Sequence, residues 1–84
     1  MSEQTMLDRV LSNPVRRALL ERLEVASAPL GVDELARELG VHRNTVRRQL
    51  GVLEIVGLVE HDTEPPDGPG RPRSIFRRTA FDPR

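Results

Sequence analysis

The strongest constraint on the fold is an apolar pattern that runs through residues 32–59 and is interrupted once, at Gly40. Glycine is the residue best able to take the left-handed conformation that ends a helix. Two apolar sets at helical spacing flank it: Leu35, Ala36 and Leu39 before the glycine, and Val46, Leu50 and Leu53 after it. The segment therefore predicts two short helices joined by a tight turn.

The outward face of the second predicted helix is basic. At 100° per residue, Asn44 and Arg48 point almost directly away from the apolar stripe, with Gly51 near them and Arg47 on the flank. Arginine can pair bidentately with guanine and asparagine with adenine. A basic helix face on its own is more often merely solvated, so this interpretation depends on the motif around it.

A formal net charge of zero hides a pattern of blocks. Residues 41–50 carry three arginines and no acidic residue, whereas residues 51–70 carry five acidic residues and no arginine. Residues 71–84 carry five arginines and one aspartate. Positive charge is thus held in two islands, and such a distribution says more about partners than the total does.

The segments on either side complete a small domain. Residues 5–12 predict an N-terminal amphipathic helix, Asn13-Pro14 is typical of the start of a second helix, and Leu30 fits a minimal strand. After the helix pair, residues 58–79 alternate as two strands around the loop PPDGPGRP. We expect residues 1–84 to form one mainly helical domain with a small β-hairpin, which is a winged helix-turn-helix with the helix pair at residues 32–57.

These residues resemble the winged helix-turn-helix of bacterial and archaeal transcription regulators, especially the arsenic-repressor (ArsR) type. The resemblance covers residues 11–79, and its motifs are individually weak but strong in this order and spacing. They are Asn-Pro-x-Arg at 13–16, Glu-Leu-Ala at 34–36, Gly40, Thr45-Val46, Leu-x-x-Leu-Glu at 50–54 and Gly-Leu-Val at 57–59.

The resemblance implies a DNA-contacting role for both basic islands. On the second helix the expected contacts are Arg43, Asn44, Thr45, Arg47 and Arg48, with Arg43 and Thr45 positioning phosphates at the helix start. On the wing they are Arg71, Arg73 and Arg78. Gly70-Arg71-Pro72 also resembles the core of an AT-hook, which lays arginine into a narrow minor groove.

Two departures from the family pattern affect these expectations. His42 stands where relatives usually have Ser or Thr, so the sequence predicts that Asn44 caps the second helix or that no side chain does. The last strand reads Phe76-Arg77-Arg78-Thr79, which frees Arg78 for phosphate contact. Cross-strand ion pairs with Glu60, Asp62 and Glu64 are the alternative for the two final arginines.

The apolar stripe of the first predicted helix has two interpretations. It consists of Met6, Leu7, Val10 and Leu11. The stripe either folds back on its own domain or pairs with a second copy of the chain. Resemblance to dimeric ArsR-type regulators, whose first helix contributes to the interface, favours the homodimer.

Other function classes have little support in the sequence. The sequence has no cysteine, no apolar run long enough to span a bilayer and no set of residues typical of a catalytic site. We therefore expect a soluble cytoplasmic, nucleoid-associated protein that is not an enzyme. His42 and His61 are isolated, and neither a metal nor another cofactor is expected.

The sequence thus predicts a regulator of transcription that binds double-stranded DNA, and we expect it to be a repressor. The second helix would lie in the major groove and the wing on the flanking minor groove. The alternative is a winged-helix protein-interaction module in a chromosome-organising or scaffold assembly. In that case Ile55 and the N-terminal stripe would form the contact surface.

Overall fold

A computed structural model describes residues 3–66 and 68–79, and within these ranges the chain forms four helices and three short strands. Their order and bounds are α1 Glu3–Val10, α2 Pro14–Val25, β1 Leu30–Gly31, α3 Val32–Leu39, α4 Arg43–Ile55, β2 Val59–Glu64 and β3 Arg73–Arg78. This mainly helical domain with a small sheet is a winged helix-turn-helix, as the sequence predicts.

The helix ends follow the local chemistry of the sequence. The side chain of Asn13 accepts hydrogen bonds from the backbone N–H groups of Val15 and Arg16, at 2.9 and 3.0 Å, and Pro14 occupies the first turn of α2. Gly40 ends α3 with a φ of 69°, in the left-handed region, and Gly57 follows α4 with a φ of 83°. The predicted turn between the two helices is therefore confirmed.

The N-terminal helix is the element whose predicted bounds differ most from the structure. It spans Glu3–Val10 rather than residues 5–12, because the chain turns at its C-terminal end. The backbone N–H of Ser12 and its hydroxyl both donate to the carbonyl of Arg9, at 3.3 and 2.7 Å. The two wing strands span Val59–Glu64 and Arg73–Arg78, within the segment predicted as the wing hairpin, residues 58–79.

The three strands form an antiparallel sheet in the order β1-β3-β2. Phe76 lies at its centre, opposite Leu30 on one side and His61 on the other. The minimal strand predicted at Leu30 is confirmed and extends to Gly31. Because this strand leads directly into α3, the sheet joins the wing to the helix pair.

An aliphatic core holds the helices together. Six of its residues have 2% or less of their surface exposed: Leu19, Leu35, Leu50, Leu53, Val46 and Val59. In β2 only Val59 is buried, and the next five residues are exposed. The hairpin therefore leaves the helical core after the first residue of β2. None of the described helices is long and apolar enough to cross a membrane.

Candidate nucleic-acid interface

Helix α4 presents a polar surface because its opposite side is fixed in the core. Val46, Leu50 and Leu53 are completely buried, which sets the rotation of the helix about its axis. The predicted contacts Arg43, Asn44, Arg47 and Arg48 are all exposed, and Thr45 is half-buried. The structure therefore brings four of the five predicted helix residues onto accessible surface at the start of α4.

The first turn of α4 is capped by His42. Its extended backbone places the imidazole beside the helix start, where Nδ1 accepts a hydrogen bond of 3.0 Å from the backbone N–H of Asn44. The prediction of an Asn44 cap or no cap is wrong, because an imidazole nitrogen supplies the acceptor that a Ser or Thr hydroxyl usually supplies. The side chain of Asn44 is consequently not needed as the cap.

Not all the basic residues of this surface are free. Arg43 Nη1 lies 3.7 Å from Asp33 Oδ1, at the start of α3, and both side chains are more than half exposed. Arg47 and Arg48 make no ion pair within the described residues. The positive charge of α4 is thus concentrated, unneutralised, on these two adjacent side chains.

The wing brings one further free arginine close to α4. Arg71 is exposed and makes no ion pair with any residue that the structure describes. It follows Gly70, whose φ of 150° lies in a region that other residues rarely adopt. A groove of about 360 Å³ runs between the wing and the helix pair and is lined by Arg71, Pro72, Arg73, Ser74, Arg47, Gly31, Val32 and Asp33.

Arg73 joins three elements. Its Nη1 donates a hydrogen bond of 2.7 Å to Glu34 on α3, and its Nε donates one of 3.0 Å to Glu64 on β2. These hydrogen bonds, that of Glu34 first, raise the pKa of Arg73 above its ordinary value. Unlike Arg71, this predicted wing contact is already engaged by two carboxylates.

The last two arginines of the wing are engaged as well. Arg77 Nη2 donates to Glu60 across the strand pair at 3.1 Å, as the ion-pair alternative predicts. Arg78 Nη1 lies 3.4 Å from Glu24 of α2. The expectation that Arg78 is free is therefore wrong. It shares its face of β3 with Phe76, two residues earlier, and so lies on the side of the sheet that meets the helices.

The predicted N-terminal stripe divides between core and surface. Val10 is buried and Leu11 packs against the core, so these two fold back on their own domain. Leu7 is 37% exposed. Met6 lies in α1, but its side chain falls outside the described residues. One apolar side chain of the four is thus seen at the surface.

The histidines have structural contacts and do not form a cluster. His61 pairs with Glu54 through a short hydrogen bond, and its ring lies 5.5 Å from that of Phe76. The described residues hold no group of three or more histidine, cysteine, aspartate or glutamate side chains suited to a metal ion.

Sequence patterns alone missed the acidic partners of Arg73. Glu34 is the third residue of α3, and its pairing with Arg73 spans 39 positions in the chain. Glu64 lies directly opposite Arg73 in the register of the hairpin. A strand register fixed in advance would have predicted the second pair but not the first.

Comparison with known proteins gives the same motif. A family model described as "Helix-turn-helix domain" matches residues 11–62. The chain is similar to the probable C4-dicarboxylate response regulator DctR of Halalkalibacterium halodurans, with 48% identity over 44 residues. These 44 residues are 52% of this chain and 19% of that protein.

Two further proteins are similar over longer stretches. The HTH-type transcriptional regulator Rv2034 of Mycobacterium tuberculosis is 47% identical over 51 residues, which is 61% of this chain and 46% of that protein. The chain thus spans less than half the length of either curated relative. The crystal structure of the transcriptional repressor BigR from Xylella fastidiosa has a TM-score of 0.75 and 30% identity, covering 94% of this chain and 70% of that one.

Proposed function

Because this chain belongs to the helix-turn-helix domain family, we propose that it binds duplex DNA sequence-specifically and regulates transcription, with α4 in the major groove and the wing on the flanking minor groove. The observation that carries this proposal is that α4 and the wing loop beside it present three exposed arginines with no carboxylate partner in the described part of the chain. Arg47, Arg48 and Arg71 lack carboxylate partners among the described residues, whereas Arg73, Arg77 and Arg78 each have one or two.

The helix supplies the base contacts in this proposal. Asn44, Arg48 and Gly51 lie on the face of α4 opposite the buried stripe, where side chains can reach base edges in a major groove. The imidazole cap on Asn44 N–H leaves the asparagine side chain available for an adenine. Arg43 and Thr45, at the helix start, position the phosphate backbone.

The wing supplies a less specific contact. Arg71 lies between Gly70 and Pro72, and an arginine in such a Gly-Arg-Pro segment suits a narrow minor groove, in which the negative potential is enhanced. Arg71 therefore contributes affinity for many sequences, whereas Arg48 contributes discrimination between them.

The regulatory role is supported by the relatives rather than by any feature of the chain itself. Two of them are named as a response regulator and a transcriptional regulator, and the structural neighbour as a transcriptional repressor. We propose that this chain acts as a repressor of the ArsR type, without enzymatic activity or a cofactor, in the cytoplasm at the nucleoid. Exposed Leu7 fits a homodimer contact.

A protein-interaction module is the competing function. Ile55, at the end of α4, has 87% of its surface exposed, and an isoleucine so exposed is the feature that favours it. A titration of mixed-sequence duplex DNA at low salt separates the two functions, because a purely protein-binding module would show no affinity. Absence of binding would contradict our proposal.

Selection of bound sequences from a random duplex pool then tests specificity. We expect a defined motif, and a palindromic motif would report a dimer. Arg71→Ala should weaken binding to selected and random duplexes alike and reduce the slope of log affinity against log salt by about 0.9, the value for one phosphate contact. An unchanged slope would remove Arg71 from the interface.

A further inference from the structure

Arg73 lines the same groove as Arg71, but unlike Arg71 it is paired with carboxylates. Glu64 faces it across the strand pair, and Glu34 reaches it from the first turn of α3. Arg77, two alternations along the same face of β3, has a single cross-strand partner, Glu60. Arg73 is therefore the arginine of this face that connects the hairpin to the helix pair.

The Arg73 guanidinium packs closely against residue 31, which is a glycine. Gly31 is buried, and a Cβ atom at this position would lie 3.2 Å from Arg73 Nη1 and 3.4 Å from Glu34 Oε1. Its backbone N–H donates to the same Glu34 oxygen at 3.4 Å. Its φ of −86° is open to any residue, so the close approach of the guanidinium, not the backbone conformation, explains the glycine.

From this arrangement we infer that Arg73 is a positioning residue, which fixes the wing against α3 and thereby sets where Arg71 stands relative to α4. The inference rests on the proposed function, in which Arg71 contacts DNA. Val59 is the sole residue of β2 that is buried, so apolar packing holds little of the hairpin beyond its base. The two ion pairs of Arg73 supply a restraint there that burial does not.

Replacing acidic residues of the wing shows whether Arg73 acts by positioning the wing or by contacting a DNA phosphate. Glu64→Gln removes a negative charge from a DNA-facing wing, which by charge alone should strengthen DNA binding. If Glu64 acts through Arg73, the same change should instead weaken binding. Asp62→Asn is the matched control, because Asp62 lies on the same face of β2 and makes no ion pair within the described residues.

We expect Arg73→Gln, which loses two ion pairs, and Glu64→Gln, which loses one, to weaken binding to a selected duplex by up to about fivefold for each pair lost, the upper end of the range for exposed ion pairs. Asp62→Asn and Arg77→Gln should change affinity less than twofold. A gain in affinity for both Glu64→Gln and Asp62→Asn, with a loss for Arg73→Gln, would make Arg73 a phosphate contact and overturn the inference.

A measurement on the free protein keeps the inference independent of DNA binding. The chain has no cysteine, so Val25→Cys on α2 and Gly68→Cys at the wing tip provide two unique spin-label sites. Val25 is 79% exposed and a side chain at position 68 meets no atom within 4 Å. The distribution of distances between the two labels, measured by double electron–electron resonance, should broaden with Arg73→Gln and not with Arg77→Gln. An unchanged distribution would overturn the positioning role even if the protein binds no DNA.

Discussion

Helix α4 and the wing are the two basic parts of the proposed interface, and they are held in place by different forces. Three fully buried side chains anchor α4, while its arginines 47 and 48 remain unpaired. The wing has one buried residue on each of its long strands, and Arg73, Arg77 and Arg78 are bound to carboxylates. Apolar burial therefore leaves the charges of α4 available to a ligand, whereas the wing uses most of its charges on its own structure.

The largest effect should come from removing the burial that anchors α4. Leu50→Ala deletes a completely buried side chain and should lower the free energy of unfolding by about 2–5 kcal/mol. Urea denaturation measures this loss. Ile75→Ala removes a half-buried side chain on the outer face of β3; it is the wing counterpart and should lower the free energy of unfolding much less. Equal losses would remove the distinction between the two regions.

The next largest effect should be on DNA binding, from removing an unpaired arginine of α4. Arg48→Ala should weaken binding to a selected duplex by about 1–3 kcal/mol and binding to random DNA far less, since a base contact is lost. Arg17→Ala, at an exposed position of α2, is the control for loss of one positive charge and should leave the ratio of specific to non-specific affinity unchanged. Equal losses from Arg48→Ala on selected and random duplexes would refute the base-reading role.

A smaller effect should follow from removing the cap that sets the first turn of α4. His42→Ala leaves the Asn44 N–H without its imidazole acceptor and should lower the free energy of unfolding by about 1 kcal/mol. His42→Asn restores an acceptor and should recover most of this stability. If alanine and asparagine behave alike, His42 does not cap the helix.

The smallest expected effect is an increase in stability, from replacing the glycine inside α4. A Cβ atom at Gly51 would meet no atom within 4 Å, so the fold does not require glycine inside α4. Gly51→Ala should raise the free energy of unfolding by about 0.5–1 kcal/mol, the helix propensity difference, and weaken DNA binding if the duplex approaches this face closely. Gln49→Ala, on another face of α4, should leave DNA affinity unchanged. Stabilisation without loss of affinity would place the DNA elsewhere.

The anchored region is also the part that the sequence predicts well. Periodicity at Val46, Leu50 and Leu53 fixed the rotation of α4, and Gly40 fixed the turn, because both are local properties of the chain. The wing pairs were harder, since Arg73 meets Glu34 across 39 positions, and Arg78 meets Glu24 in a helix near the other end of the chain. Such contacts depend on how elements pack, which no local pattern encodes.

The cap at His42 was missed for a different reason. A Ser or Thr cap is recognisable by residue type, whereas an imidazole accepts the Asn44 N–H only when its ring turns Nδ1 towards the helix start. That orientation is a property of the folded turn. The departure from the family pattern at His42 was therefore visible, but not its structural consequence.

Amide chemical-shift mapping with a selected duplex tests the central claim most directly. Our account predicts the largest shifts at the start of α4, at Asn44, Arg47 and Arg48, and at Gly70-Arg71 in the wing, with α1 and α2 little changed. Shifts concentrated around exposed Ile55 and Val25, with the start of α4 unaffected, would contradict it.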